Sequence, residues 1–259
     1  MNEASKSLHV VQERIGQACA RAGRAENSVC LVGAAKTVPA ERLNTFLDAG
    51  LTDIGENYVQ EAVAKMSVLN QATQLKHARW HLIGALQSNK AREAVRSFDL
   101  IHSVDRLALA VAIDKAAQAR NKVQEVLLQV NVGTEASKAG CAPQELRGLA
   151  EQCATLPNLA VRGLMALPPY HDDPEQMRPY FRQLREARDA LFQGPGALFS
   201  PDSGLKPSMD GAADSAANAH NWHTSYGHLS MGMSNDFEVA IQEGATIVRV
   251  GTALFGVRF

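Results

Sequence analysis

Apolar, β-branched runs alternate with helix-period stretches nearly from one end of the chain to the other. The strand candidates are 29–36 (VCLVGAAK), 52–55, 79–84 (RWHLIG), 99–104, 124–132 (QEVLLQVNV), 160–166, 228–231 and 246–251 (TIVRVG). Between them, spacings of three and four residues predict helices over 40–49, 57–69, 87–96, 105–120, 143–155, 174–192 and 235–243. A further helix precedes the first strand, where Leu8, Val11, Ile15, Ala18 and Ala22 form one stripe. Eight strands alternating with helices in 259 residues is the arithmetic of an α/β fold of the (β/α)8 TIM-barrel type. We expect such a barrel, with its extra N-terminal helix, as a single domain over 1–259. A doubly wound open sheet writes the same alternation. The strand count, and the lack of a G-x-G-x-x-G after the first strand, favour the barrel.

One stretch breaks the rhythm. Residues 194–227 are rich in Gly, Pro, Ser and Ala without a clean period, which predicts a flexible insertion before the seventh strand. Its His220 and His223, with His228 just beyond, invite a metal reading, but no carboxylate or cysteine falls at ligand spacing, so no metal is expected. The charge balance is even, 26 Lys+Arg against 27 Asp+Glu, which argues against nucleic acid as a partner. No apolar run approaches the roughly 18 residues of a membrane span. The N-terminus lacks a signal-peptide stretch, and the four cysteines contain no C-x-x-C. Together these predict a cytoplasmic protein with free thiols.

Lys36 is the first candidate for chemistry. In 29–36, Cys30, Val32, Ala34 and Lys36 share one face by period two, and Leu31, Gly33 and Ala35 share the other. A lysine at the C-terminal end of so apolar a strand emerges, partly desolvated, into the mouth of a barrel. Desolvation favours the neutral amine, the form that attacks carbonyls to make a Schiff base. A lysine snorkelling to solvent writes the same sequence. Arg249 is the second oddity, a guanidinium inside strand 246–251 that must find acceptors. Either an acidic residue of a neighbouring strand or a ligand atom would serve.

Two small-residue loops follow the last strands, LSMGMS (229–234) and VGTALFG (250–256). Gly232 and Gly251 let backbone N–H groups approach a ligand, and Ser230 and Thr252 add hydroxyls. Ser234 is placed to N-cap the helix beginning near Asn235. Loops at these strands of a barrel often bind phosphate, although tight turns use the same glycines. Asn57 lies just past strand 2, as a candidate site residue or a helix N-cap. Asn131 and Lys138 follow strand 5, and His81 within strand 3 reads more readily as a hydrogen-bonded core residue.

In AAKTVP, IGENYVQE (54–61), WHLIGALQSNK (80–90), IHSVDR (101–106), NVGTEASKAG, RGLMALPP (162–169), LSMGMSNDFEVAIQEGAT (229–246) and VRVGTALFG (248–256), the chain resembles the pyridoxal 5′-phosphate homeostasis family. These are single-domain relatives of the alanine racemase barrel. The resemblance implies pyridoxal 5′-phosphate (PLP) held as an aldimine on Lys36. It implies a phosphate site at Ser230, the Met231–Gly232 backbone, Gly251 and Thr252, with Arg249 beside the pyridine nitrogen. Asn57 is counted with this cofactor-binding set. The implied role is a monomer that buffers or delivers PLP, with apo PLP-dependent enzymes as recipients and no catalytic turnover. The family often carries a second lysine where this chain has Val38, so a transfer role for that lysine does not carry over. The alternatives are a PLP-dependent amino-acid racemase and a Schiff-base aldolase without PLP. Racemases of this fold draw a second base from a C-terminal β-domain, and with the sequence stopping at Phe259 none is expected here.

Overall fold

Runs of branched apolar residues buried on both faces make the strands of this protein, and their parallel pairing closes them into a ring. The computed structural model describes residues 2–69, 78–133, 139–193, 196–199 and 226–256. Its strands are β1 (Cys30–Ala34), β2 (Asp53–Glu56), β3 (Arg79–Leu82), β4 (Leu100–Val104), β5 (Gln124–Gln129), β6 (Leu159–Met165), β7 (His228–Ser230) and β8 (Ile247–Val250). They pair in chain order as a closed barrel, with β8 returning to β1. That is the expected (β/α)8 fold. Several strands end earlier than the apolar pattern suggests: β1 stops at Ala34, because Thr37 takes a left-handed φ of 66° and turns the chain outward.

The helices are α1 (Glu3–Arg21), α2 (Ala40–Asp48), α3 (Val59–Leu69), α4 (Ala91–Ser97), α5 (Leu107–Gln118), α6 (Leu146–Ala154), α7 (Arg178–Phe192), α8 (Phe237–Gln242) and α9 (Thr252–Phe255). In α1 the predicted stripe is buried from Leu8 to Ala18, and Asn2 caps the helix by accepting from the Ser5 N–H at 2.8 Å. This helix packs on α2, α8 and α9, pinned by Arg14 to Glu238 at 2.7 Å. The main core lies between helices and barrel. A second cluster, Cys30, Val32, Leu100, Leu127, Met165 and Ile247, fills the barrel interior. Most of the predicted insertion at 194–227 lies outside the described residues, as do His220 and His223. At its edges, Phe199 stacks on Phe192 at 4.8 Å and Tyr226 lies under Arg162.

Glycines discriminate the tight places from the open ones. A Cβ on Gly163 of β6 would sit 2.2 Å from the His228 carbonyl oxygen of β7, which faces it in register. Nothing lies within 4 Å of a Cβ on Gly148 of α6. Gly163→Ala is expected to destabilise the barrel by about 1–3 kcal/mol or more, since backbone has to move. Gly148→Ala should stabilise by about 0.5–1 kcal/mol through helix propensity. Urea unfolding of the two variants beside the parent measures both.

Candidate functional site

The candidate residues gather at the C-terminal ends of the strands, and Lys36 stands two residues past β1. The peptide before it is held from three sides. Ala35 donates its N–H to the Gly55 carbonyl at 2.9 Å, and its own carbonyl accepts from the Val38 N–H at 2.9 Å. That carbonyl also accepts from Lys65 Nζ of α3 at 2.7 Å, and Lys65 pairs with Glu56 at 2.5 Å. Glu56 has no exposed side-chain surface, and burial raises its pKa against the opposing pull of Lys65. Val38 is buried in the main core. The Lys36 side chain itself is half-buried, with its ammonium 6.0 Å from the centre of the Tyr58 ring. Among the described residues it makes no hydrogen bond and no ion pair.

The loops after β7 and β8 meet beside this turn. The register Gly33↔Val250 carries Gly251 alongside Ala34, and a Cβ on Gly251 would lie 3.5 Å from the Ala34 carbonyl oxygen. Gly232 has a φ of +93°, and a Cβ there would come within 2.7 Å of Ala240, so the turn requires glycine. Its carbonyl accepts from the Arg249 N–H at 3.0 Å. Ser234 does not cap α8, as its position suggested. That helix starts at Phe237, and Asp236 accepts from the Met233 N–H at 2.6 Å. The Ser234 hydroxyl instead faces the β8 loop, accepting from the N–H groups of Gly251 and Ala253 at 3.2 Å each. Thr252 is exposed, and among the described residues its N–H has no hydrogen-bond partner.

Arg249 points into the barrel, 3% exposed. Among the described residues it finds no acidic residue at hydrogen-bond distance. One Nη donates to the Ser230 hydroxyl and the other to the Ala166 carbonyl at 2.9 Å. Burial lowers its pKa to about 10, against the opposing charge of Asp236, so it stays a cation at neutral pH. Ser230 is fully buried, with its hydroxyl 2.9 Å from His102 Nδ1 as well as bound to Arg249. It is therefore joined to the arginine and not to the Gly251–Thr252 loop. Met231 is buried too, and its N–H is spent on the Ile247 carbonyl at 3.1 Å.

The remaining candidates divide. Asn57 is half-buried past β2, and among the described residues its amide makes no hydrogen bond. Its backbone is so close to Gly84 that a Cβ there would meet the Asn57 oxygen at 2.3 Å. Asn131 is half-buried, and its N–H donates to the Cys141 carbonyl at 3.0 Å. Lys138 lies outside the described residues. His81 is fully buried between Asp53 and His102. His228 is buried on β7, 3.1 Å from the Thr246 hydroxyl, and the described residues hold no cluster fit for a metal ion. A cavity of about 250 Å³ at the mouth is lined by Ile83, Ala85, Gln129, Ala139, Leu167 and Pro168. A larger cleft of about 430 Å³ opens at the opposite end under α1, away from Lys36. Lys65 and Glu56, Ser234 in its bridging place and the pair His102–Asp53 were not picked out in the sequence. Strand alternation gives the inward side of His102, since Leu100, His102 and Val104 share one face.

Residues 7–203 match the alanine racemase N-terminal domain family. The pyridoxal phosphate homeostasis protein of Aquifex aeolicus is 46% identical over 255 residues, covering 98% of each chain. The crystal structure of an unknown protein from Bifidobacterium adolescentis superposes with a TM-score of 0.80 at 34% identity, over 98% of this chain and 97% of that one. PipY of Synechococcus elongatus, in a structure with PLP bound, gives a TM-score of 0.73 at 32% identity, over 98% of this chain and 100% of PipY. With full-length relatives at this identity and a domain match across most of its length, the chain belongs to the pyridoxal phosphate homeostasis protein family.

Proposed function

We propose that this protein holds pyridoxal 5′-phosphate as an imine on Lys36 and takes part in PLP homeostasis inside the cell, without catalytic turnover. The observation that carries the reading is the Lys36 amine: half-buried at the barrel mouth and free of any hydrogen bond or ion pair among the described residues. An amine so placed is available to an aldehyde, which it joins with loss of water. The donor set beside it fits the rest of the cofactor. The Ser234 hydroxyl proton and the Thr252 N–H, unpaired among the described residues, supply donors suited to a phosphate, with the Gly251 N–H held to Ser234, and Arg249 supplies a buried cation for the ring nitrogen. Gly232 shapes this loop, and Asn57 offers an unengaged amide. We assign Ser230 and Met231 to holding Arg249 and the loop, because neither has a free donor for the phosphate.

Bound PLP supplies an electron-accepting ring. The residues here restrain that chemistry. A permanent cation cannot hand a proton to the ring nitrogen in the way an acid does, so the ring remains a poor electron sink. Stereoinversion also needs a second proton carrier opposite Lys36. His81 is sealed between Asp53 and His102, and the ring centre of the exposed Tyr58 lies 6.0 Å from the amine. PLP delivery to apo-enzymes is the role that suits a site built to hold the aldehyde without processing amino acids.

Lys36→Ala should abolish the borohydride-reducible PLP adduct while leaving the cofactor-free melting temperature nearly unchanged. Retention of a reducible adduct would move the imine to another lysine. Ser234→Ala removes a hydroxyl that anchors the Gly251 loop and is expected to weaken PLP retention by about 1.5–3 kcal/mol, roughly ten- to a hundredfold. Equilibrium dialysis measures it, and unchanged affinity would place the phosphate elsewhere. Incubation of the loaded protein with L-alanine in deuterated water should yield no multiple-turnover D-alanine by chiral analysis. Sustained turnover would replace the carrier reading with a racemase.

A further inference from the structure

Inward from Arg249, a file of buried polar side chains runs through the apolar barrel interior. Arg249 donates to the Ser230 hydroxyl, and that hydroxyl lies 2.9 Å from His102 Nδ1. His102 Nε2 is 3.0 Å from His81 Nδ1, and His81 Nε2 is 2.9 Å from Asp53 Oδ1. The second Asp53 oxygen accepts from the Thr52 hydroxyl at 2.7 Å. The file begins on β8 beside the mouth and ends on the first residue of β2, next to the cleft under α1.

Its two ends fix the direction of every bond between them. A guanidinium only donates, so Ser230 accepts from Arg249. A hydroxyl proton left unpaired in a dry interior is costly, so Ser230 donates in turn to His102 Nδ1. Burial foremost, with the neighbouring His81, Arg249 and His228 opposing a further positive charge, lowers the His102 pKa well below the usual imidazole value, so its ring is neutral. Its one proton must then sit on Nε2 and be donated to His81 Nδ1. That places the His81 proton on Nε2, facing Asp53. Burial works against the Asp53 charge, but the hydrogen bond from His81, aided by Thr52 and Arg79, holds its pKa below the ordinary carboxylate value. An acceptor-only carboxylate thus terminates a chain begun by a donor-only cation.

We propose that Asp53, His81 and His102 are positioning residues for Arg249, a one-way hydrogen-bond chain that commits the Ser230 hydroxyl to accept from the guanidinium and so fixes its place at the ring nitrogen of the cofactor. The inference rests on the reading that Arg249 meets that nitrogen. The alternative is that the histidines merely fill the barrel. If the proton on His102 moved to Nδ1, Ser230 would face two donors, and its own proton would lose its partner.

The first test uses the cofactor-free full chain with ¹⁵N-labelled histidine. Two-bond nitrogen–proton spectra should show His81 and His102 each donating from a proton on Nε2, with His102 neutral across about pH 6 to 8. A proton on His102 Nδ1, or an imidazolium there, overturns the chain. The second test loads the variants with PLP. His102→Leu should weaken retention about tenfold and shift the visible absorption band of the bound cofactor, and His102→Asn, whose oxygen can replace Nδ1 as acceptor, should restore the band. Should His102→Leu fail to fold, Ser230→Ala breaks the same chain and is expected to act alike. A folded His102→Leu with parental retention and band, beside an Arg249→Leu variant whose band is altered, overturns the chain alone. A band unaltered in Arg249→Leu overturns the placement of Arg249 at the ring.

Discussion

A guanidinium sealed inside a ring of eight strands has no water to turn to, so the barrel must satisfy it from within. Here the burden is spread. Ser230 and the Ala166 carbonyl take two of its protons, while Asp236 acts on its charge without a hydrogen bond. A carboxylate locked directly onto Arg249 would have been the simpler answer, but it would also have neutralised the charge. Instead the nearest hydrogen-bonded anion is Asp53, separated from the arginine by three side chains. The cation keeps its field at the mouth, and the barrel keeps every member of the file partnered.

The same economy shapes the outer part of the site. The β1 strand ends early, and the turn carrying Lys36 is held through its backbone by Gly55, Val38 and Lys65. The side chain is consequently left without a hydrogen bond or ion pair among the described residues, while the main chain beneath it is fixed. In the β7 and β8 loops the arrangement repeats: Ser234 organises backbone N–H groups of the Gly251 loop, and the left-handed Gly232 lets α8 approach. Rigid backbone with available side chains or N–H groups is the preorganisation a tightly held ligand needs.

Much of this was legible in the sequence, and the limits have physical reasons. Strand alternation with helices gave the barrel, and period two grouped Lys36 with Cys30 and Val32 without telling which face looks inward. Strand ends were overrun, as at 124–132, because Val130 and Val132 are as apolar as a strand yet stand outside β5. Ser234 was placed at the wrong helix, since a cap read locally cannot see that the β8 loop lies closer in space. Ser230 ends β7 inside the barrel while Ser234 lies in the loop beyond it, a boundary that strand alternation does not mark. The Lys65–Glu56 pair joins residues on α3 and β2 and looks in sequence like two ordinary surface charges.

The four cysteines are all buried, and their environment decides what the barrel offers to an electrophile. Burial pushes the Cys141 and Cys153 thiols up to about 12 and raises those of Cys19 and Cys30. At neutral pH these sulfurs hold their protons, and a protonated thiol is a poor nucleophile. A reactive aldehyde arriving at this protein therefore meets amines and not thiolates. The consequence is chemical selectivity: an incoming aldehyde is steered toward nitrogen bonds that hydrolyse or exchange, and the buried, protonated thiols are poor partners for disulfide exchange.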